Sequence, residues 1–158
     1  MKIHVILLLA FFFLTSFQDK DMVKKELKNN RSVQNPTLKG AWELISRYNY
    51  IDNKVVDTFY VADSYRQVKM YTATKVMWSR KMRSDSTEWF GYGTYKLNAT
   101  HDTLREVLDY ASRVMSKMID EQGEFVMEIQ NLTKDSYTQI EIDGDGNRVI
   151  SENYVRIE

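Results

Sequence analysis

The sequence predicts an all-β fold, either a sandwich or an up-and-down barrel, preceded by a polar arm. Aromatic residues make up 13% of the 158-residue chain, and aromatic side chains favour the half-buried surface of a β-sheet. From residue 38 onward, short runs of alternating polar and apolar residues are separated by brief polar turns, which is typical of antiparallel strands. In this region, apolar residues recur at helical spacing in one segment only, residues 112–120.

About nine strands are expected, each bounded by a turn. Asp143 to Asn147 superficially resembles a calcium loop, but the sixth and twelfth residues of that motif are Gly and Glu, whereas this chain has Arg148 and Tyr154. The Asp-Gly pair in this run indicates a hairpin instead. The predicted strands span residues 41–50, 54–61, 65–72, 75–82, 88–97, 103–110, 123–132, 136–142 and 148–157.

Residues 1–16 have the pattern of a secretory signal peptide. Lys2 supplies a positive charge, residues 3–14 form an apolar run of 12 interrupted only by His4, and small residues precede a cleavage site after Ser16. A run this short does not cross the hydrocarbon core of a bilayer, roughly 30 Å thick, as a helix. The alternative is a buried helix or an uncleaved anchor. The pattern predicts an exported protein, periplasmic or secreted after cleavage.

Residues 17–37 are polar and highly charged, and Pro36 within them is the only proline of the chain. This composition predicts a flexible arm. The folded domain is therefore expected to span residues 38–158.

Composition excludes several classes of protein and site. With 22 basic and 22 acidic residues, the chain has no general attraction for nucleic acid or an anionic membrane. It has no cysteine, which excludes disulfides and a lipoprotein-type lipid anchor. Its two histidines, His4 and His101, lie in the predicted signal peptide and a predicted loop, which excludes His–His metal sites and Ser/His/Asp triads. We predict no metal and no cofactor.

A Gly-x-Trp motif opens the first predicted strand, at Gly40-Ala41-Trp42. The motif resembles the signature of the lipocalins and the wider calycin superfamily, in which the tryptophan closes one end of the barrel and an arginine of the last strand packs over it. Arg156 stands near the end of the last predicted strand of this chain. The resemblance implies that Arg156 contacts the indole of Trp42, which contributes roughly 0.5–2 kcal/mol.

A closer resemblance extends over residues 38–158. The segments that carry it are Leu38 to Leu44, Val68 to Thr72, Val76 to Trp78 and Gly91 to Tyr95. They are similar to an uncharacterised lipocalin-like family of exported bacterial proteins. The resemblance implies a single antiparallel up-and-down barrel of about eight to nine strands with one short helical link. It brings no established activity, ligand or catalytic residue.

Alternation along the strands predicts which side chains face the barrel interior. The glycines among them, Gly91 and Gly93, are expected to leave room where side chains would otherwise fill the barrel. The expected inward sets are Val76, Trp78 and Arg80; Gly91, Gly93, Tyr95 and Leu97; Leu104, Glu106, Leu108 and Tyr110; and Phe125, Met127 and Ile129.

This alternation places Arg80 and Glu106 among apolar and aromatic side chains, where an unpaired charge is costly. One interpretation is that the two residues, with Tyr95 and Tyr110, orient the polar end of a ligand. The other is a structural Arg80–Glu106 ion pair in a filled core, or a position at a solvated rim. The candidate ligand-binding residues are Trp78, Arg80, Tyr95, Glu106, Tyr110 and Met127.

Three functions stay open. We favour a barrel that binds a small, partly apolar molecule inside, because apolar cavities with a few polar groups are the usual small-ligand sites. An enzyme would use Glu106 as general acid or base, with Arg80 or a tyrosine stabilising charge. A filled barrel would serve as an interaction or scaffold module.

The predicted helical segment 112–120, with Met115 and Met118, is expected either to form a lid over the open end of the barrel or to pack against the barrel wall. The sequence does not specify the oligomeric state.

Overall fold

The computed structural model describes residues 36–61, 65–82 and 89–158. The predicted signal peptide and residues 17–35 of the predicted arm lie outside these ranges. The described residues form nine strands and one helix, which confirms the predicted all-β class. Within them, no helix has the length and apolar character needed to cross a membrane. The elements are β1 (Gly40–Ile51), β2 (Lys54–Tyr60), β3 (Tyr65–Tyr71), β4 (Lys75–Met82), β5 (Trp89–Leu97), β6 (Thr103–Ala111), α1 (Arg113–Gln122), β7 (Phe125–Gln130), β8 (Ser136–Ile142) and β9 (Arg148–Arg156).

The strands close into an antiparallel barrel, as predicted. Strands β3 to β9 pair in sequence order, and β1 pairs with both β3 and β9, which completes a ring of eight strands. One edge of β1 pairs with β9. The opposite edge is shared by two strands, because residues 40–43 of β1 pair with β3 and residues 46–51 pair with β2. β2 is therefore an extra strand on the ring. Closure gives the molecule an interior toward which alternate residues of each strand point.

One end of the barrel is closed around Trp42, which is 0% exposed. Its indole Nε1 donates to the carbonyl oxygen of Leu38 at 2.6 Å, and the ring of Tyr137 meets it edge-on at 4.9 Å. The guanidinium of Arg156 lies 4.0 Å from the centroid of the indole, which confirms the expected contact. Arg156 also donates to the backbone carbonyl oxygens of Thr37 and of Lys134. The arginine thus joins the start of the domain to its last strands.

A bulge in β6 reverses the alternation before the strand ends. Gly93 pairs with Leu108, whereas Tyr92 pairs with Tyr110, so that Asp109 is an additional residue on β6. Leu108 is buried, but Tyr110 is 60% exposed and its ring stacks on that of Tyr92 at 5.2 Å. The prediction that Tyr110 faces the interior was wrong. An inserted residue shifts the period of two, and every side chain beyond it changes face.

The two glycines of β5 do not leave empty space. A Cβ atom on Gly93 would lie 2.0 Å from the backbone oxygen of Val107. A Cβ atom on Gly91 would lie 2.8 Å from Nε1 of Trp78. The prediction that these glycines make room for a guest was therefore wrong. They permit close approach of the β6 backbone and of an indole ring to β5.

The helix predicted over residues 112–120 is present as α1. Met115 is buried, and Met118 and Ile119 pack partly buried against the core. The helix ends at Gly123, whose φ of 70° is in the left-handed region that glycine adopts without strain. The methionines of α1 thus face the barrel.

The run from Asp143 to Asn147 is a hairpin turn between β8 and β9, as predicted. One carboxylate oxygen of Asp143 accepts the backbone N–H groups of Asp145, at 3.0 Å, and of Asn147, at 2.8 Å. These hydrogen bonds are those of a local turn.

Candidate functional site

The barrel contains a cavity of about 260 Å³. Its lining combines apolar side chains, among them two methionines of α1, with polar side chains, five of which are charged. The apolar lining consists of Trp78, Leu108, Met115, Met118, Phe125 and Met127, and the polar lining consists of Gln67, Lys69, Arg80, Trp89, Glu106, Gln139, Glu141 and Glu152.

An ion pair crosses the interior between β3 and β6. Nζ of Lys69 lies 2.9 Å from Oε1 of Glu106, and each side chain is only 4% exposed. The same carboxylate oxygen accepts the hydroxyl of Tyr71 at 2.9 Å, and Lys69 also donates to Oε1 of Gln139 at 2.8 Å. Burial of the Tyr71 hydroxyl, with the negative charge of Glu106 beside it, raises the pKa of Tyr71 well above its usual value. The tyrosine is therefore a neutral hydrogen-bond donor to Glu106.

The partner of Glu106 is thus Lys69, and the predicted Arg80–Glu106 pair does not form. Arg80 and Glu106 both line the cavity, but the residue bonded to the carboxylate comes from β3. The contacts of Glu106 with Lys69 and Tyr71 also argue against its use as a general acid or base. The carboxylate of Glu106 already bonds to a buried ammonium and a phenol, which suits a structural ion pair better than proton transfer.

A second buried network joins β3 to β9. Tyr65 donates to Oε1 of Gln67 at 2.6 Å, and Nε2 of Gln67 donates to Glu152 at 3.1 Å and to the hydroxyl of Tyr154 at 2.6 Å. The Tyr154 hydroxyl donates in turn to Glu152 at 2.7 Å. Burial raises the pKa of Tyr65, and it raises that of Tyr154 well above the usual value. Glu152 is therefore held by two donors, an amide and a phenol.

Arg80 and Trp89 form the third polar feature of the cavity. They face each other in the register of β4 and β5, and the guanidinium carbon of Arg80 lies 4.0 Å from the centroid of the indole. Nε of Arg80 and Nε1 of Trp89 are both buried, and neither has a hydrogen-bond partner among the described residues. The stacking orients the arginine but leaves two N–H donors unused.

Glu141 on β8 lies at the rim of the cavity, across the β7–β8 register from Met127. More than a third of the residue is exposed to solvent. Partial burial of the carboxyl group, reinforced by the negative charge of Glu152, raises the pKa of Glu141. The two acids thus make this side of the cavity electronegative.

Four of the six predicted ligand-binding residues line the cavity: Trp78, Arg80, Glu106 and Met127. Tyr95 lies elsewhere, because its hydroxyl donates to the carbonyl oxygen of Thr72 at 2.8 Å and its ring packs edge-on against Tyr71. Tyr110 lies on the outer surface. The cavity is therefore lined by residues of α1 and of all strands from β3 to β9, without these two tyrosines.

Sequence reasoning missed the contribution of β3. Its inner face carries Gln67 and Lys69, whereas Met70 on its outer face is 44% exposed. The usual rule that apolar residues point inward is inverted here. The available signal was aromatic, because Tyr65 and Tyr71 alternate in phase with the two polar residues and are themselves buried.

Comparison with protein-family models finds no matching family, and a search of curated proteins finds no match. In the described part of the chain, no three acidic or histidine side chains are grouped so as to hold a metal ion.

Proposed function

We propose that this protein is an exported, lipocalin-like barrel that binds a small, partly apolar molecule in its interior. The observation that carries the proposal is the cavity of about 260 Å³, which is lined by apolar side chains together with a few polar and charged ones. Ligand sites are usually concave and mostly apolar, with a few polar groups that fix orientation, and have volumes of roughly 300–1,000 Å³. The cavity lies just below that range, so its ligand is small.

The wall formed by α1 supports binding rather than a rigid filled core. Met115 and Met118 reach the cavity from a helix that packs on the barrel without belonging to the sheet. Methionine side chains are unbranched and adapt to guests of different shape. A helix held mainly by such contacts is suited to moving slightly when a ligand enters.

The proposal of ligand binding is tested by filling the cavity. Phenylacetamide, a neutral and partly apolar probe, is titrated into the protein by calorimetry. We expect Met118→Trp to weaken its binding at least tenfold, because the indole would occupy the site. The matched control is Val114→Trp on the same helix, where Val114 is 40% exposed, and its affinity should equal that of the wild type. Equal loss in both variants would contradict binding in this cavity.

Export and membership of the lipocalin-like family belong to the same proposal. They are supported by the pattern of residues 1–16 and by the Gly40-Ala41-Trp42 motif with Arg156. Mass spectrometry of the protein purified from a bacterial host should find a mature N-terminus near Phe17 in the exported fraction. Recovery of an intact form that begins at Met1 in the cytosol would contradict export.

A further inference from the structure

Most polar side chains that line the cavity have hydrogen-bond partners within the protein, but the Nε atom of Arg80 has none among the described residues. Lys69 and Glu106 bond to each other, Gln139 accepts from Lys69, and Gln67 donates to Glu152. Arg80 forms no ion pair with any acid that the structure describes. Of the two positively charged residues that line the cavity, Lys69 is paired with Glu106, whereas Arg80 has no counter-ion among the described acids.

The unused donors lie together. Nε of Arg80 and Nε1 of Trp89 are buried, have no acceptor in the described ranges and belong to side chains in direct contact. A buried N–H group without an acceptor is costly and calls for a partner such as water, an ion or a ligand. Both side chains line the cavity, and two such groups, one of them on a cation, are matched by an anionic acceptor.

We propose that the ligand carries a carboxylate that accepts hydrogen bonds from Arg80 and Trp89, while its apolar part contacts Trp78, Met118 and Phe125. The inference rests on the proposed binding function and names the class of ligand. A carboxylate matches the planar fork of a guanidinium. Because the acids Glu141 and Glu152 also line the cavity, a single negative charge fits this site better than the double charge of a phosphate group.

The test compares probes that differ only in their polar group. Phenylacetate, phenylacetamide, phenethylamine and benzylphosphonate are titrated into the full-length protein by calorimetry. We expect phenylacetate to bind at least tenfold more tightly than the amide, because hydrogen bonds to charged groups are the strong ones. The amine and the phosphonate should bind less tightly than phenylacetate.

Variants assign the preference to Arg80 and Trp89. Arg80→Met keeps the apolar stem and should lower the affinity for phenylacetate about tenfold or more while changing that for the amide less than twofold. Trp89→Phe keeps the stacked ring without its N–H and should weaken phenylacetate alone. Arg113→Met, on the exposed side of α1, removes an equal charge outside the cavity and should change neither affinity.

Two different failures can be told apart. If all probes bind equally, or if the amine or phosphonate binds most tightly, the carboxylate site is wrong and cavity binding stands. If no probe binds at millimolar concentration, the proposed function fails and the carboxylate site with it. A uniform loss for every probe in Arg80→Met, with a lowered melting temperature, would make Arg80 a structural residue and would also overturn the inference.

Discussion

Nζ of Lys69 and Oε1 of Glu106 lie 2.9 Å apart, and each of these side chains is 4% exposed. Lys69 belongs to β3 and Glu106 to β6, so β4 and β5 lie between them in the sheet. The ion pair therefore crosses the interior of the barrel instead of joining neighbouring strands. It fixes the distance between two strands that share no backbone hydrogen bond.

Breaking this pair from one side should be strongly destabilising. In Lys69→Met, Glu106 stays buried without a counter-ion, and we expect the free energy of unfolding to fall by about 3–5 kcal/mol. Urea denaturation measures this value. The double variant Lys69→Met with Glu106→Leu should recover much of the loss, because no buried charge remains.

The matched control for this experiment is an exposed pair. Nζ of Lys75 lies 3.1 Å from Asp109, and both side chains are more than a third exposed. Lys75→Met should leave the urea midpoint nearly unchanged, since exposed ion pairs contribute little. A loss in Lys69→Met no larger than that in Lys75→Met would show that the buried pair is not structural.

The closed end of the barrel depends on Trp42. Trp42→Ala removes a fully buried ring that contacts Tyr137 and Arg156, and should cost about 3–5 kcal/mol of unfolding free energy. Arg156→Met should cost at least about 0.5–2 kcal/mol, because it removes the contact with the indole and also the hydrogen bonds to the carbonyl oxygens of Thr37 and Lys134. As a control, Tyr60→Ala removes a side chain that is 68% exposed and should change stability by less than about 0.5 kcal/mol. Comparable losses in Trp42→Ala and Tyr60→Ala would refute this account.

Position 93 requires glycine because the backbone of β6 lies too close to β5 to admit a side chain. In Gly93→Ala the new Cβ would lie 2.0 Å from the backbone oxygen of Val107, so the β5–β6 ladder must shift, at a cost of about 1–3 kcal/mol or more. The control is Gly144→Ala in the β8–β9 turn, where a Cβ atom meets nothing within 4 Å. Thermal melts should show a lower melting temperature for Gly93→Ala only. Unchanged stability in Gly93→Ala would mean that the two strands are not in close contact.

The raised pKa of Glu141 makes stability depend on pH in a defined direction. The folded protein binds the Glu141 proton more tightly than the unfolded chain, whose usual carboxyl pKa is 4.5. The stabilising contribution is therefore complete below pH 4.5 and is lost as the pH rises through the higher pKa of the folded state. Because the residue is partly solvated, we expect a modest effect.

Urea unfolding between acidic and neutral pH checks this direction. Glu141→Gln should reduce the loss of stability with rising pH and make the protein more stable than wild type at neutral pH. Asp120→Asn on α1 removes an exposed carboxylate outside the cavity and should not have this effect. If Glu141→Gln is less stable than the wild type at neutral pH, the carboxylate makes a favourable contact and the prediction is wrong.

Much of the barrel could be predicted because its strands carry local information. Alternating residues and polar turns specified the strand number, the inward direction of Trp78, Arg80, Glu106 and Met127, and the helix after β6. These properties depend on the period of two in a strand and on turn chemistry, both of which are present within a few residues of sequence.

The bulge at Asp109 could not be predicted from the alternation of residues along β6. It changes the face of Tyr110, yet an inserted residue leaves no mark in a pattern of alternating side chains until the partner strand is known. The glycines of β5 were misjudged for a similar reason. Whether a missing side chain leaves a void or admits a neighbour depends on what lies opposite, which for Gly93 is the backbone of Val107.

The sequence alone determined the all-β class and the alternation of the strands, and the resemblance of its Gly-x-Trp motif implied the contact between Trp42 and Arg156. Only the tertiary structure decided that Lys69, and not Arg80, neutralises Glu106, and that Arg80 stacks on Trp89 at the cavity wall. The reason is physical. Alternation states on which face of its own strand a side chain lies, whereas its partner across the interior depends on the order and register in which distant strands close into a ring.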